Sequence, residues 1–178
     1  MTDRYKIRVA FLGIIEENAP ALRRLTGAYA LDPADREDLF QEIAIALWRA
    51  LPAFRNESSV RTWLYRIAHN VAITSSGKRR KIDSRRAPTE QSNDVHAPGR
   101  NPLAEALASE KRVMLLAAIH GLPDLDRQVI ALHLEGLSLA EMEDVTGMTA
   151  GSLATRLSRI RARLTDAVRE LQTGGNLR

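Results

Sequence analysis

From Met148 to Thr165 the chain carries no acidic residue, while Arg156, Arg159, Arg161 and Arg163 follow one another at short spacing. Between them Leu153, Leu157, Ile160, Leu164, Val168 and Leu171 recur at intervals of three and four, which predicts one buried face of a long helix. A guanidinium can fork onto a guanine edge or pair with a phosphate, and a helix of this size fits the major groove of DNA. Just upstream, Ser138 and Glu141 have the spacing of a capping box, and Gly147 can supply a tight turn before a second helix begins near Thr149. The expected unit is a helix-turn-helix. Its alternative is a merely solvated arginine face.

Residues for covalent or metal chemistry are missing in any useful pattern. His69, His96, His120 and His133 are scattered without paired-ligand spacing, and the chain has no cysteine. Neither a phosphate-cradling glycine loop nor a nucleophile elbow is present. No catalytic residue, metal site or cofactor is expected, so the reading is a binding protein and not an enzyme.

The composition says what must hold the arginine helix in place. Of 178 residues 44% are hydrophobic but only 4% aromatic, and no run of alternating β-branched residues occurs. That favours an all-α fold. A net charge of +4 fits a polyanionic partner, weakly. The amino terminus lacks the plan of a signal peptide, and no apolar span is long enough for a bilayer. A cytoplasmic protein without membrane insertion is expected, with no sensory domain after the terminal helix.

Periodicity divides the rest. A first helix is expected over about residues 5–29, with Val9, Leu12, Ile15, Leu22 and Leu25 in the core and Pro20 kinking or splitting it. A second starts at Asp32 and Pro33, carries acids in its first turns, and turns Leu39, Ile43, Ala46 and Leu47 inward before Pro52, with Trp48 a further candidate for that face. After a loop over 52–58, Ser58 or Ser59 caps a third helix with Val60, Trp63, Leu64, Ile67, Ala68 and Val71 on its apolar stripe. Its other face shows Arg61, Arg66, His69 and Asn70, and its end runs into Lys78, Arg79, Arg80 and Lys81. Residues 83–101 are polar and lack apolar periodicity, the composition of a flexible linker. Helices return at Pro102, with Leu103, Leu107, Leu115, Leu116 and Ile119, and again at Asp124. The expected organisation is therefore two small helical domains, 1–82 and 102–178, joined by 83–101.

In this order the segments REDLFQEIAIALWRALPAFRNESSVRTWLYRIAHN and LPDLDRQVIALHLEGLSLAEMEDVTGMTAGSLATRLSRIRARL resemble the two conserved domains of bacterial sigma factors of the extracytoplasmic-function (ECF) type in the sigma-70 family. The resemblance covers nearly the whole chain. It implies a factor that binds core RNA polymerase and directs it to promoters, recognising −10 and −35 elements and promoting strand opening. Glu37, Asp38, Gln41 and Glu42 match the positions that dock on the β′ clamp helices, with Leu39 or Phe40 beside them. Phe54 and Asn70 match positions that grip an extruded base of the −10 element, an aromatic wall and an amide with both donor and acceptor. Arg61, Arg66, Lys78, Arg79 and Arg80, with Lys81, are candidates for phosphates there. Trp63 falls on the apolar stripe, and core is its expected role.

At the −35 element, Ala154, Thr155, Ser158 and Arg159 should approach base edges, while Arg156 and Arg161 lie where backbone contact or pairing within the domain is possible. Relatives often carry Lys or Arg where this chain has Ala154, so one usual polar contact is missing. An anti-sigma factor is a further partner that the resemblance suggests. A one-component regulator remains the alternative; it would bind DNA without polymerase, as a dimer.

Overall fold

The structure, a computed structural model, describes residues 3–83 and 102–174, with side chains described over 5–78 and 111–170. Among the described residues it contains α-helices and no strand: α1 (Asp3–Tyr29), α2 (Pro33–Ala50), α3 (Val60–Asp83), α4 (Pro102–His120), α5 (Asp124–Leu134), α6 (Leu139–Thr146) and α7 (Ala150–Gly174), with a 3₁₀ turn at Leu51–Ala53. α1 to α3 pack as one unit and α4 to α7 as another, and the units touch through α1 against α4 and α5, and α3 against α5 and α6. The all-α expectation holds.

Helix boundaries follow from local chemistry. Asp32 Oδ1 accepts the backbone N–H groups of Ala34 at 2.8 Å and Asp35 at 3.2 Å, satisfying donors that the first turn of α2 cannot. Ser59, of the two candidates, caps α3: its hydroxyl accepts the Thr62 N–H at 3.0 Å. At α6 the capping box closes in both directions, Glu141 N–H to Ser138 Oγ and Ser138 N–H to Glu141 Oε2. Gly147 ends that helix at φ 72°, a backbone conformation that a Cβ disfavours. Two arginines finish helices from outside. Arg36 donates to the carbonyls of Ala30 and Leu31 after α1, and buried Arg127 to those of Ile119, His120 and Leu122 after α4.

The core is one continuous apolar cluster. Leu22, Leu25, Leu39, Ile43, Leu47 and Leu64 fill the first unit, and Val129, Leu132, Met142, Leu153, Leu157 and Ile160 the second. Full burial of one such side chain is worth roughly 1.5–3 kcal/mol, so these stripes dominate the stability of each unit. The predicted stripe of the last helix is buried at Leu153, Leu157, Ile160 and Leu164, while Leu171 lies outside the described side chains.

Several expectations need correction. Val9 and Leu12 are about half exposed, because α1 turns Phe11, Ile14 and Ile15 toward the core instead. α1 also runs unbroken through Pro20, whose ring lies on the exposed side. Val60 and Leu115 are exposed rather than interior, and Trp48 meets Phe11 edge to face at the surface. His69 is wholly buried, not part of the polar face of α3.

Candidate functional site

On α2 the carboxylates and the amide form one exposed face. Glu37, Asp38, Gln41 and Glu42 lie at helical neighbour positions, opposite buried Leu39 and Ile43. Glu37 is partly engaged by Arg23 at 3.0 Å, and Arg23 also lies 4.7 Å over the Phe40 ring. Leu39, proposed as a contact for a partner, is core with 1% exposure; half-buried Phe40 stays accessible.

After α2 the chain turns sharply, with Asn56 at positive φ, and Phe54 packs on Trp63 with centroids 4.8 Å apart. Together with Ala53, Arg55, Glu57, Ser58 and Arg66 these rings line an open cavity of about 310 Å³. Trp63 is thus only half buried and forms a wall, a role the apolar stripe concealed. Asn70 is exposed one helical turn beyond Arg66 and does not line the cavity. Lys78 is exposed, whereas the side chains of Arg79, Arg80 and Lys81 lie outside the described residues.

Arg61 and Arg66 are not directed only at solvent. Arg61 donates to the carbonyl of Glu135, and Arg66 donates to the Asp144 carbonyl at 3.1 and 2.6 Å. Both acceptors belong to the helix-turn-helix unit.

Along α7, Ala154, Thr155, Ser158 and Arg159 form an exposed face opposite the buried leucines. The arginines differ in their duties. Arg156 and Arg163 pair with Asp126 of α5, a carboxylate 7% exposed, and Arg161 meets His133 Nε2 at 2.8 Å. Among the described residues Arg159 alone of the four makes no hydrogen bond or ion pair within the chain, which leaves its fork available to a ligand. Sequence reasoning missed Asp126 because an acid in the first turn of a helix already has a dipole to explain it.

Beneath α3 the polar interior is structural. His69 Nδ1 lies 2.9 Å from the Tyr29 hydroxyl, and its Nε2 has no partner among the described residues. Burial lowers the His69 pKa to about 3, so the ring is neutral. Burial first, and then the Glu135 carboxylate, push the Tyr65 phenol up to about 12. Among the described residues no cluster of His, Asp or Glu could hold a metal, and no helix is long and apolar enough to cross a membrane.

Family comparisons agree with this geometry. Sigma-70 region 2 matches residues 14–82, which span most of α1 through α3, and Sigma-70 region 4 matches residues 112–164, which include the helix-turn-helix. The chain is 33% identical over 144 residues to the ECF RNA polymerase sigma-E factor of Haemophilus influenzae, covering 77% of this chain and 76% of that protein. It is 29% identical to the ECF RNA polymerase sigma factor SigM of Mycobacterium tuberculosis, over 99% and 84% of the two. In fold it resembles the sigma factor RpoE of Bartonella quintana, solved with the anti-sigma factor NepR (TM-score 0.70, 23% identity, 90% of this chain and 97% of that one). A likeness also holds to CnrH, solved with the cytosolic domain of CnrY (TM-score 0.65, 22% identity, 92% and 90%). The chain belongs to the ECF sigma factors of the sigma-70 family, the promoter-specificity factors of RNA polymerase.

Proposed function

We propose that this sigma factor docks on the β′ clamp helices through Glu37, Asp38, Gln41 and Glu42, reads the −10 element with the unit 1–82 and reads the −35 element with the unit 102–178. The exposed α7 face carries the proposal furthest, since Ala154, Thr155, Ser158 and Arg159 stand clear of the core on a helix pinned from behind. At the −10 element, Phe54 and Trp63 wall a cavity able to take an unstacked base, and Asn70 offers its amide beside it on the same helix. Arg61, Arg66, Lys78, Arg79 and Arg80 supply phosphate contacts, whose affinity falls steeply with salt.

The work is binding coupled to strand opening, and the polymerase supplies the chemistry. The chain itself is no enzyme and acts in the cytoplasm, where its polymerase is. An anti-sigma factor is a further partner. A groove of about 390 Å³ between the units suits one, with Leu25, Leu115 and Ile119 on its floor and Arg23, Arg36 and Arg112 among its cations. In vitro transcription with core polymerase and a promoter library tests the proposal. Start sites sharing two spaced motifs are expected; a transcript pattern identical to that of core enzyme alone refutes it.

A further inference from the structure

Four arginines converge where α1, the start of α2 and α4 meet: Arg23 and Arg24 from α1, Arg36 from α2 and Arg112 from α4. All four line both of two cavities that share them as a wall. One, of about 620 Å³, is otherwise bounded by Pro20, Thr26, Pro33 and Glu37. The other, of about 390 Å³, has a largely apolar floor that includes Leu25, Ala28, Leu115, Leu116 and Ile119. The charges here do not balance. Glu37 takes one arm of Arg23 at 3.0 Å and Glu135 takes two N–H groups of Arg24 at 2.7 Å, but among the described residues no carboxylate pairs with Arg36 or Arg112. Donors are left over as well. Arg24 and Arg36 each commit only Nε and Nη2, so both Nη1 groups remain, and Arg112 makes no hydrogen bond among the described residues.

We propose that this groove binds a small phosphorylated molecule, a nucleoside polyphosphate in chemical class, with its phosphates among the four arginines and its base over the apolar floor. Guanidinium groups held side by side repel one another, and a polyanion between them removes that repulsion while filling the spare N–H groups. The floor asks for something different. A flat, weakly polar ring removes apolar surface from water there and can also stack on a guanidinium plane. Inorganic phosphate alone leaves the floor wet, and an uncharged apolar molecule leaves the cations uncompensated. Both cavities fall within the range of small-molecule sites, roughly 300–1,000 Å³. Occupied, the groove is closed to a protein partner, so the nucleotide competes with any anti-sigma factor seated there.

The test uses the whole chain and needs neither promoter nor polymerase, so its failure leaves the promoter reading untouched. Binding of ADP, pyrophosphate and adenosine is measured by titration calorimetry at physiological salt without divalent cations. ADP should bind at one site, pyrophosphate at least tenfold more weakly, and adenosine more weakly still. Arg112→Glu should weaken ADP at least tenfold, and Arg23→Ala, a second exposed position, about 3- to 10-fold, with circular dichroism confirming that both are folded. Leu115→Ser should weaken ADP about threefold and leave pyrophosphate unchanged. Arg159→Ala, on the far-removed reading face of α7, should change nothing. No binding at millimolar ADP, or folded Arg112→Glu and Arg23→Ala variants that bind like wild type, overturns the site. A loss in Arg159→Ala equal to that in Arg112→Glu overturns it too, because the anion is then held by the basic surface in general. Pyrophosphate binding as tightly as ADP overturns the nucleotide class.

Discussion

Arg156 of α7 is ion-paired to Asp126 of α5, and the pair holds the reading helix against the rest of its unit from the side away from the exposed face. Arg163 meets the second oxygen of the same carboxylate at 3.3 Å, so one buried acid staples two turns of α7. Removing Arg156 would leave the buried carboxylate short of a partner, whereas removing Asp126 releases two guanidiniums that are 35% and 63% exposed and can rehydrate.

Asp126→Ala should therefore destabilise the chain by about 1–2 kcal/mol, less than the loss of one partner from a fully buried pair. A double-mutant cycle with Arg156→Ala should give a coupling energy of about 1 kcal/mol or more, measured by denaturant unfolding. If Arg156→Ala lowers DNA affinity without changing stability, Arg156 is a DNA contact and the staple is unimportant.

The elements were legible in the sequence, and the contacts between them much less so. Asp32, Pro33, Ser138, Glu141 and Gly147 act through partners within a few residues, and the Leu153–Leu157–Ile160–Leu164 stripe obeys one helical period. His69 shows where this stops. Its flanks on α3 read as polar, but Tyr29 from α1, 40 residues away, covers it and makes burial tolerable. Glu135, Arg24 and Arg66 are similar: their partners lie 111 and 78 residues away, and no local pattern encodes a pairing at that distance. In the site, exposure of the α2 and α7 faces followed directly from periodicity. The Phe54–Trp63 wall did not, since it needs a loop to fold back onto α3.

His69 gives the chain a pH dependence with a defined sign. Its folded-state pKa, about 3, lies below the ordinary 6.5, so the unfolded chain takes up the proton first as pH falls. Stability is thus full above about pH 6.5 and declines toward pH 3, with a limiting slope of about 1.4 kcal/mol per pH unit from this group. Urea unfolding at pH 7.0, 6.0 and 5.0, above the range in which most carboxylates titrate, should show that decline. A folded His69→Gln variant should lose most of it. An equal slope in both proteins would assign the effect elsewhere.

Ser138 and Glu141 close the start of α6 reciprocally, and the Glu141 carboxylate is held below its usual range by the Ser138 backbone N–H and then by the hydroxyl. Ser138→Ala should cost about 1 kcal/mol, seen as a lower unfolding midpoint. Glu141→Gln keeps an acceptor and should cost less. The sign for pH follows from the depressed value: the contribution of Glu141 is present above the ordinary glutamate range and is lost as pH falls through the folded-state value.

The face of α2 allows a separation of binding from folding. Asp38 and Glu42 are exposed and their neighbours Leu39 and Ile43 carry the packing, so Asp38→Lys with Glu42→Lys should shift stability by no more than about 0.5 kcal/mol. Retention of the variant by immobilised core polymerase should nevertheless fall at least tenfold. Full retention, with the helical spectrum unchanged, would remove α2 from the polymerase contact.

Arg159 should behave differently from the other arginines of α7, because its guanidinium is not engaged within the chain. Arg159→Ala should leave the unfolding midpoint unchanged while costing about 1–3 kcal/mol in binding to a preferred −35 duplex. Base reading predicts that the loss depends on the sequence at one position, since a forked guanidinium discriminates between base edges. Phosphate contact predicts instead a uniform loss on every duplex, together with a salt dependence shallower by about one charge. Beside it, Ala154→Lys adds a cation to an exposed position and should tighten binding at low salt, with the gain shrinking as salt rises. Measuring both variants on a set of single-base −35 changes at two salt concentrations separates the two modes. A uniform effect of Arg159→Ala across that set would leave Thr155 and Ser158 as the polar readers of this face.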